Sequence, residues 1–319
     1  MKKFLLKSLL AFAIIFVIVV LPNLLYSIIA PRRVAQFELP RDKTIIFIGD
    51  SHVERGVDDK FIPGGFNFSK SWESYLNIYP RLKKLLDKNP QITTVFIGVT
   101  PHSIRENADI RLYNNDTMYL LCRNLGIYSM EELKHIEIDT YFGYLFTEKG
   151  FKDGLDLFWG LITKNSQEIL KEMGCFDAVE GRNLQKDLVP EVVHRRLYSE
   201  GDGEGHPPYG NEVQKKYLRK IVDMARAHGA RVIFLNPPIY HVEEFFDVPY
   251  FENLLKTEFA DVEFWDYVNF SVPEDCWQNE NHINRWGAEI LSKELARRMQ
   301  EEGIVATTNP GSTTEPSQN

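Results

Sequence analysis

Three short segments of this chain consist almost wholly of β-branched and aromatic residues, and they limit its fold more than any other feature. Thr44-Ile45-Ile46-Phe47-Ile48, Thr94-Val95-Phe96-Ile97 and Val232-Ile233-Phe234-Leu235 show no alternation of polar and apolar residues. A strand with one wet face would alternate, so such runs mark strands buried on both faces, as in a parallel sheet covered by helices. Helical periodicity lies between them. Tyr75, Ile78, Leu82, Leu85 and Leu86 share one helical face, which Asn89-Pro90 ends. Val213, Tyr217, Leu218, Ile221, Val222 and Ala225 form another, with Gly229 where a C-cap glycine belongs. Gly64-Gly65-Phe66-Asn67-Phe68 and Val262-Glu263-Phe264-Trp265 are shorter strand candidates, and Trp286, Ile290, Leu291, Leu295 and Met299 mark a last amphipathic helix. The alternation predicts an α/β domain over residues 43–303, with a three-layer parallel sheet.

Two regions break the alternation. Across residues 107–210, Tyr119, Leu120, Leu121, Leu133, Tyr141, Tyr144, Phe158, Trp159 and Leu161 suggest a helical insertion capping the sheet. Near its end, Glu200-Gly201-Asp202-Gly203-Glu204-Gly205-His206 is rich in acid and glycine but lacks the alternating ligands and terminal glutamate of a calcium loop, so a solvated loop is expected. Residues 304–319 are Thr, Ser, Pro and Asn-rich, the composition of a disordered tail.

The N-terminus has a different character. Lys2, Lys3 and Lys7 precede Ser8 to Ala30, which contains no charged residue. That length suits a bilayer-crossing helix, which needs about 20 apolar residues. It is longer than a signal-peptide core and lacks a clear A-x-A site, so residues 1–30 are expected to form an uncleaved membrane anchor, with Pro22-Asn23 kinking or ending its helix early and residues 31–42 as connector. Arg32, Arg33, Arg41 and Lys43 balance the lysines on the other side, so charge counting leaves the orientation open. The formal net charge of −8 argues against nonspecific nucleic-acid binding. Cys122, Cys175 and Cys276 are far apart and odd in number, which predicts neither a disulfide framework nor a zinc site. No metal or organic cofactor is implied.

The chemistry lies at the two ends of the α/β pattern. The first buried strand runs into Gly49-Asp50-Ser51-His52, and in a parallel sheet ligands collect beyond the carboxyl ends of the strands. A serine there is a candidate nucleophile; the plainer alternative is a helix N-cap. Near the other end, Asn279-Glu280-Asn281-His282-Ile283-Asn284-Arg285-Trp286-Gly287 leads into the last helix. A histidine in that turn can meet Ser51 across the top of the sheet and serve as its base.

With these residues the chain resembles the SGNH/GDSL hydrolase superfamily. Gly49-Asp50-Ser51 is similar to its first block, and His282 with Gly287 to its last. The closer likeness is to membrane-anchored, DltD-like members that act in teichoic-acid D-alanylation and to polysaccharide O-acetylation proteins. Asn67-Phe68-Ser69, Pro237-Pro238, Asp266 and the His282/Asn284/Gly287 spacing carry that likeness. It covers residues 43–103 and 211–299. It implies an SGNH-hydrolase-like fold, an extracytoplasmic domain held at the cytoplasmic membrane, and a serine acyltransferase or carboxylesterase working through an acyl-Ser51 intermediate. The partners it implies are a cell-envelope glycan, an acyl donor and a membrane acyltransferase.

The sequence departs from the family pattern in three places. Asn279 stands where the acid that orients His282 is expected, and the comparable Asp-to-Asn change in a serine protease costs about 10⁴ in kcat. Glu280 or Asp275 are the possible substitutes, or the enzyme runs on a dyad. Gly98-Val99-Thr100-Pro101 replaces the block that supplies the usual oxyanion asparagine, and Ser69-Lys70-Ser71-Trp72 has no glycine at the second-block position. The oxyanion and substrate-binding candidates are therefore the Ser51 N–H with Asp50, His52, Asn67, Ser69, Thr100 and His102, although a buried or surface role is the plainer reading of His102. These departures also define a second expectation, a catalytically inactive glycan-binding or assembly subunit of an envelope acylation system.

Overall fold

In a computed structural model the chain is described at residues 1–34, 37–112, 120–121, 123–136, 138–181, 210–242 and 246–305. The acidic glycine run and the tail beyond residue 305 lie outside these residues. Five strands, β1 (Ile45–Ile48), β2 (Gly65–Asn67), β3 (Thr94–Gly98), β4 (Arg231–Asn236) and β5 (Glu263–Asp266), form one sheet in the order β2-β1-β3-β4-β5. Every neighbouring pair is parallel, with Ile45 opposite both Gly65 and Thr94, and Phe96 opposite Ile233. Helices make the crossovers that parallel pairing requires. They are α3 (Ser51–Gly56), α4 (Tyr75–Lys88), α9 (Glu212–Ala227) and α10 (Val248–Glu258), and α11 (Arg285–Glu301) follows the last strand.

The uninterrupted apolar runs divide by alternation between two cores. Ile46, Ile48, Val95, Ile97, Val232 and Phe234 pack with the helices α4, α9 and α10. Ile45, Phe47, Phe96, Ile233 and Leu235 pack on the other side with Val53 of α3 and Leu291, Leu295 and Met299 of α11. The three central strands β1, β3 and β4 therefore bury both faces, and each such side chain contributes roughly 1.5–3 kcal/mol. Among the described residues, four further α-helices lie between β3 and α9: α5 (Met130–Leu133), α6 (Ile138–Leu145), α7 (Glu148–Thr163) and α8 (Ser166–Met173).

The N-terminal helix differs from the expectation. α1 (Lys2–Ile15) passes through a π-helical turn at Phe16–Val20 into α2 (Leu21–Val34), so Pro22 does not end it and the helix runs beyond Ala30 into the supposed connector. The Leu21 N–H bonds to the Phe16 carbonyl, and this wider turn makes room for a ring that has no N–H to donate. Lys2–Ala30 is long and apolar enough to cross a membrane, with a mean hydropathy of 2.9 over its best window. Its far end is built into the domain: Tyr26 and Ala30 are each 1% exposed and belong to the core shared by α4 and α9.

Candidate active site

The strand order 2-1-3-4-5 reverses direction between β1 and β3, and a parallel sheet opens a crevice beyond its carboxyl edge at such a point. Gly49-Asp50-Ser51 leaves β1 there. Asp50 is the N-cap of α3, its Oδ1 accepting the His52 N–H at 3.1 Å. The capping role considered for Ser51 thus belongs to Asp50, and Ser51 begins the helix itself. Gly98 explains how α3 comes so close to the sheet: a Cβ there would sit 2.4 Å from Val53 Cγ2.

The second half of the site is the turn before α11. Trp277 and Ile283 pair as an antiparallel bridge, and the Gln278 N–H bonds to the His282 carbonyl at 2.9 Å. Asn284 caps α11 by accepting from the Trp286 and Gly287 N–H groups, while its amide donates to the Asp275 carbonyl at 2.7 Å. Only glycine fits at 287, where a Cβ would lie 2.6 Å from the Cys276 carbonyl oxygen. Arg55 of α3 donates to Gln278 Oε1 at 3.2 Å, which ties this turn to the helix that carries the serine.

The two halves meet. His282 Nε2 lies 2.8 Å from Ser51 Oγ, and His282 Nδ1 lies 3.1 Å from Asn279 Oδ1. The direction of these bonds follows from the backbone. Asn279 Oδ1 also accepts the N–H groups of Asn281 at 3.0 Å and His282 at 2.9 Å. Two obligate donors fix that atom as the amide oxygen, so it must receive a proton from Nδ1 as well. Nε2 is then the acceptor, and the Ser51 hydroxyl donates to it. With its ring nitrogen engaged by Asn279, His282 takes no carboxylate partner from Asp275 or Glu280. Burial pushes its pKa well below the ordinary histidine range, His52 and Arg55 push the same way, and the Asp50 carboxylate opposes them.

A second imidazole stands beside the first. The ring centroids of His52 and His282 are 5.1 Å apart, and His52 Nδ1 bonds to Asp50 Oδ1 at 2.9 Å. His102 comes in from the loop after β3, its ring centroid 5.5 Å from that of His52 and its Nδ1 3.9 Å from Asp50 Oδ2. Asp50, His52 and His102 each offer a donor atom, all within 4.8 Å of one another, and among the described residues they are a group that could hold a metal ion. Asp50 and His52 already satisfy each other by a hydrogen bond. Among the described residues the buried His52 Nε2 has no hydrogen-bond partner.

Other candidates serve the scaffold instead. Asn67 is buried, and its amide donates to the Val53 and Val57 carbonyls at 2.9 and 2.7 Å. Both of its donors are engaged, so its side chain is no oxyanion donor. The Ser69 N–H is held by Asn67 Oδ1 at 3.0 Å, and its hydroxyl is buried with no partner among the described residues. Thr100 Oγ1 receives the Ser103 N–H at 3.1 Å, and the Thr100 N–H bonds to Ser103 Oγ at 2.9 Å, closing a local turn. The Ser51 N–H, in the first turn of α3, has no intrahelical acceptor and stands beside the Ser51 hydroxyl.

Glu54 had no signal in the sequence. It is 1% exposed, and it accepts from Lys70 Nζ at 2.7 Å, from the Ser71 N–H at 2.7 Å and from the Ser71 hydroxyl. It thereby fixes the loop after β2 against α3, and the Lys70 N–H bonds to the Gly49 carbonyl at 3.0 Å. The next residues of that loop include Trp72, whose φ of 67° is rare for a bulky side chain. No family model matches this chain, and no curated protein matches it.

Proposed function

We propose that this protein is a membrane-anchored serine acyltransferase or esterase of the SGNH type, acting on acyl groups of cell-envelope glycans. The observation that carries the reading is the line Ser51 Oγ–His282 Nε2, 2.8 Å, with Nδ1 turned to Asn279. As His282 takes the hydroxyl proton, Ser51 Oγ forms a bond to the acyl carbonyl carbon, and the carbonyl π pair moves to oxygen. The tetrahedral oxyanion collapses, the donor's alkoxide leaves with the proton from His282, and an acyl-Ser51 ester remains. Water or a sugar hydroxyl then gives its proton to His282 and attacks the ester carbonyl; as the second tetrahedral oxyanion collapses, His282 returns that proton to the departing Ser51 Oγ and the serine is free again. The Ser51 N–H supports the oxyanion.

The anchor keeps such an enzyme beside its substrate, with the α/β domain on the extracytoplasmic side and the helices between β3 and α9 forming an insertion over the sheet. Burial of Tyr26 and Ala30 in the core supports an anchor that stays attached. One observation favours a second reading, a catalytically inactive glycan-binding or assembly subunit: His282 is oriented by an amide, which cannot offset the imidazolium charge. A fluorophosphonate probe applied to the full chain in detergent separates the two. Labelling that disappears in Ser51→Ala supports the enzyme. An unlabelled wild type, with envelope acylation unchanged in Ser51→Ala, rejects it.

A further inference from the structure

We infer that α7, with the end of α6, lies in the membrane interface beside the anchor and binds the lipid surface directly. This rests on the anchoring reading above and adds a second contact to it.

α7 has three faces. Gly150, Gly154, Leu157, Gly160 and Leu161 are buried, and α2 packs against this helix. The approach is close: a Cβ on Gly154 would lie 2.2 Å from Asn23 Nδ2 of α2. Lys149, Lys152, Asp156 and Thr163 occupy a polar face turned to solvent. Between the two runs an apolar stripe of Phe151, Leu155, Phe158, Trp159 and Ile162, at spacings i, i+4, i+7, i+8 and i+11, an arc of about 100°. Trp159 is 64% exposed and Ile162 60%. Phe142 and Phe146, just before α7, are exposed as well.

Length argues for lipid as the occupant. The stretch of anchor free of the domain, from Phe4 to Ile18, spans only about 22 Å at 1.5 Å per residue. The hydrocarbon layer is about 30 Å thick. The missing depth must come from the next two turns, and those are the turns docked on the domain. The exposed Leu24, Ile28 and Ile29 of α2 continue the apolar surface there. A bilayer that covers them reaches the helix packed alongside, and an amphipathic helix with a tryptophan on its apolar side suits a depth of about 5–10 Å below the headgroups.

The test uses the full chain in phosphatidylcholine/phosphatidylglycerol vesicles whose acyl chains carry bromine near the glycerol end. Insertion of the anchor is measured by resistance to carbonate extraction. The expected result is a carbonate-resistant protein whose tryptophan emission is quenched by the brominated lipid, with most of that quenching lost in Trp159→Phe. Resistance to carbonate with quenching unchanged by Trp159→Phe overturns the interfacial helix and leaves the anchor standing. Emission at Trp159 that depends on protein density instead of bromine assigns the stripe to a second copy and also overturns it. Release by carbonate removes the anchor and this inference together.

Discussion

Two histidine corners stand 5.1 Å apart in this molecule and are built from different partners. His282 touches the serine and is oriented by the Asn279 amide; His52 is oriented by the Asp50 carboxylate and does not define the serine contact. Both rings have their Nδ1 proton directed to an oxygen, so both have a set tautomer. Only one has a formal negative charge behind it. Orientation and charge, which a single aspartate supplies together in a serine protease, are here divided between neighbours. The Asp50 charge still reaches His282, opposing the effect of its burial, but through space instead of through a bond.

That division can be broken at each end. Ser51→Ala has the largest expected effect: esterase or transferase turnover falls by about 10⁴-fold or more, measured as kcat/KM on a soluble aryl ester. Asp50→Asn comes next. Asparagine is as good an N-cap, so α3 holds, but the charge near His282 is gone. Turnover is expected to drop by roughly 10- to 100-fold, and the acid limb of the pH profile moves to lower pH because the imidazole pKa falls further. Unchanged turnover in Asp50→Asn would mean that the His52 corner contributes no charge to catalysis.

Asn279→Asp sharpens the comparison from the other side. A carboxylate can accept the same three donors and adds the missing charge, so turnover is expected to rise about 10-fold, with the acid limb shifted to higher pH. A fall in turnover would show that the amide is required and that the charge is best kept at a distance. The smallest effect is on stability. His282 has a folded pKa below its unfolded value near 6.5. The unfolded chain therefore takes up the proton first, and the stabilisation from neutral His282, full above about pH 6.5, is lost as pH falls from there toward the folded value. The Tm should drop by a few degrees over that window, and His282→Gln should flatten the slope; an equal slope in both proteins refutes the assignment.

Much of the sheet was legible because its signals are local. Ile45–Ile48 and Thr94–Gly98 are uninterrupted apolar strands, and both Ser51 and His282 follow or precede regular elements in simple ways. What escaped depends on distant residues. Nothing near Asn67 announces that its amide joins the Val53 and Val57 carbonyls, which removes it from the oxyanion candidates. His102 approaches Asp50 because the register sets Ile48 opposite Ile97, which carries the two following loops to the same edge. Pro22-Asn23 is expected to kink or end the helix because proline lacks an N–H; the π turn before it, a response of the whole helix, has no residue-level mark. Of the stripe on α7 only Phe158 and Trp159 stand out in the sequence, as helix candidates beside Leu161, and which of these α2 covers cannot be read from spacing alone.

The burial of Tyr26 and Ala30 has a practical side. Cutting the chain after the hydrophobic segment, as is routine when a water-soluble fragment is wanted for crystallisation, would strip Pro22, Asn23, Tyr26 and Ala30 from the interior and uncover the bed they fill. A fragment beginning near residue 43 should express poorly or aggregate, whereas one that retains the helix from about residue 19, handled in detergent, should survive. The same logic means that proteolysis between the hydrophobic segment and residue 43 should leave a destabilised domain instead of an intact, freely soluble one.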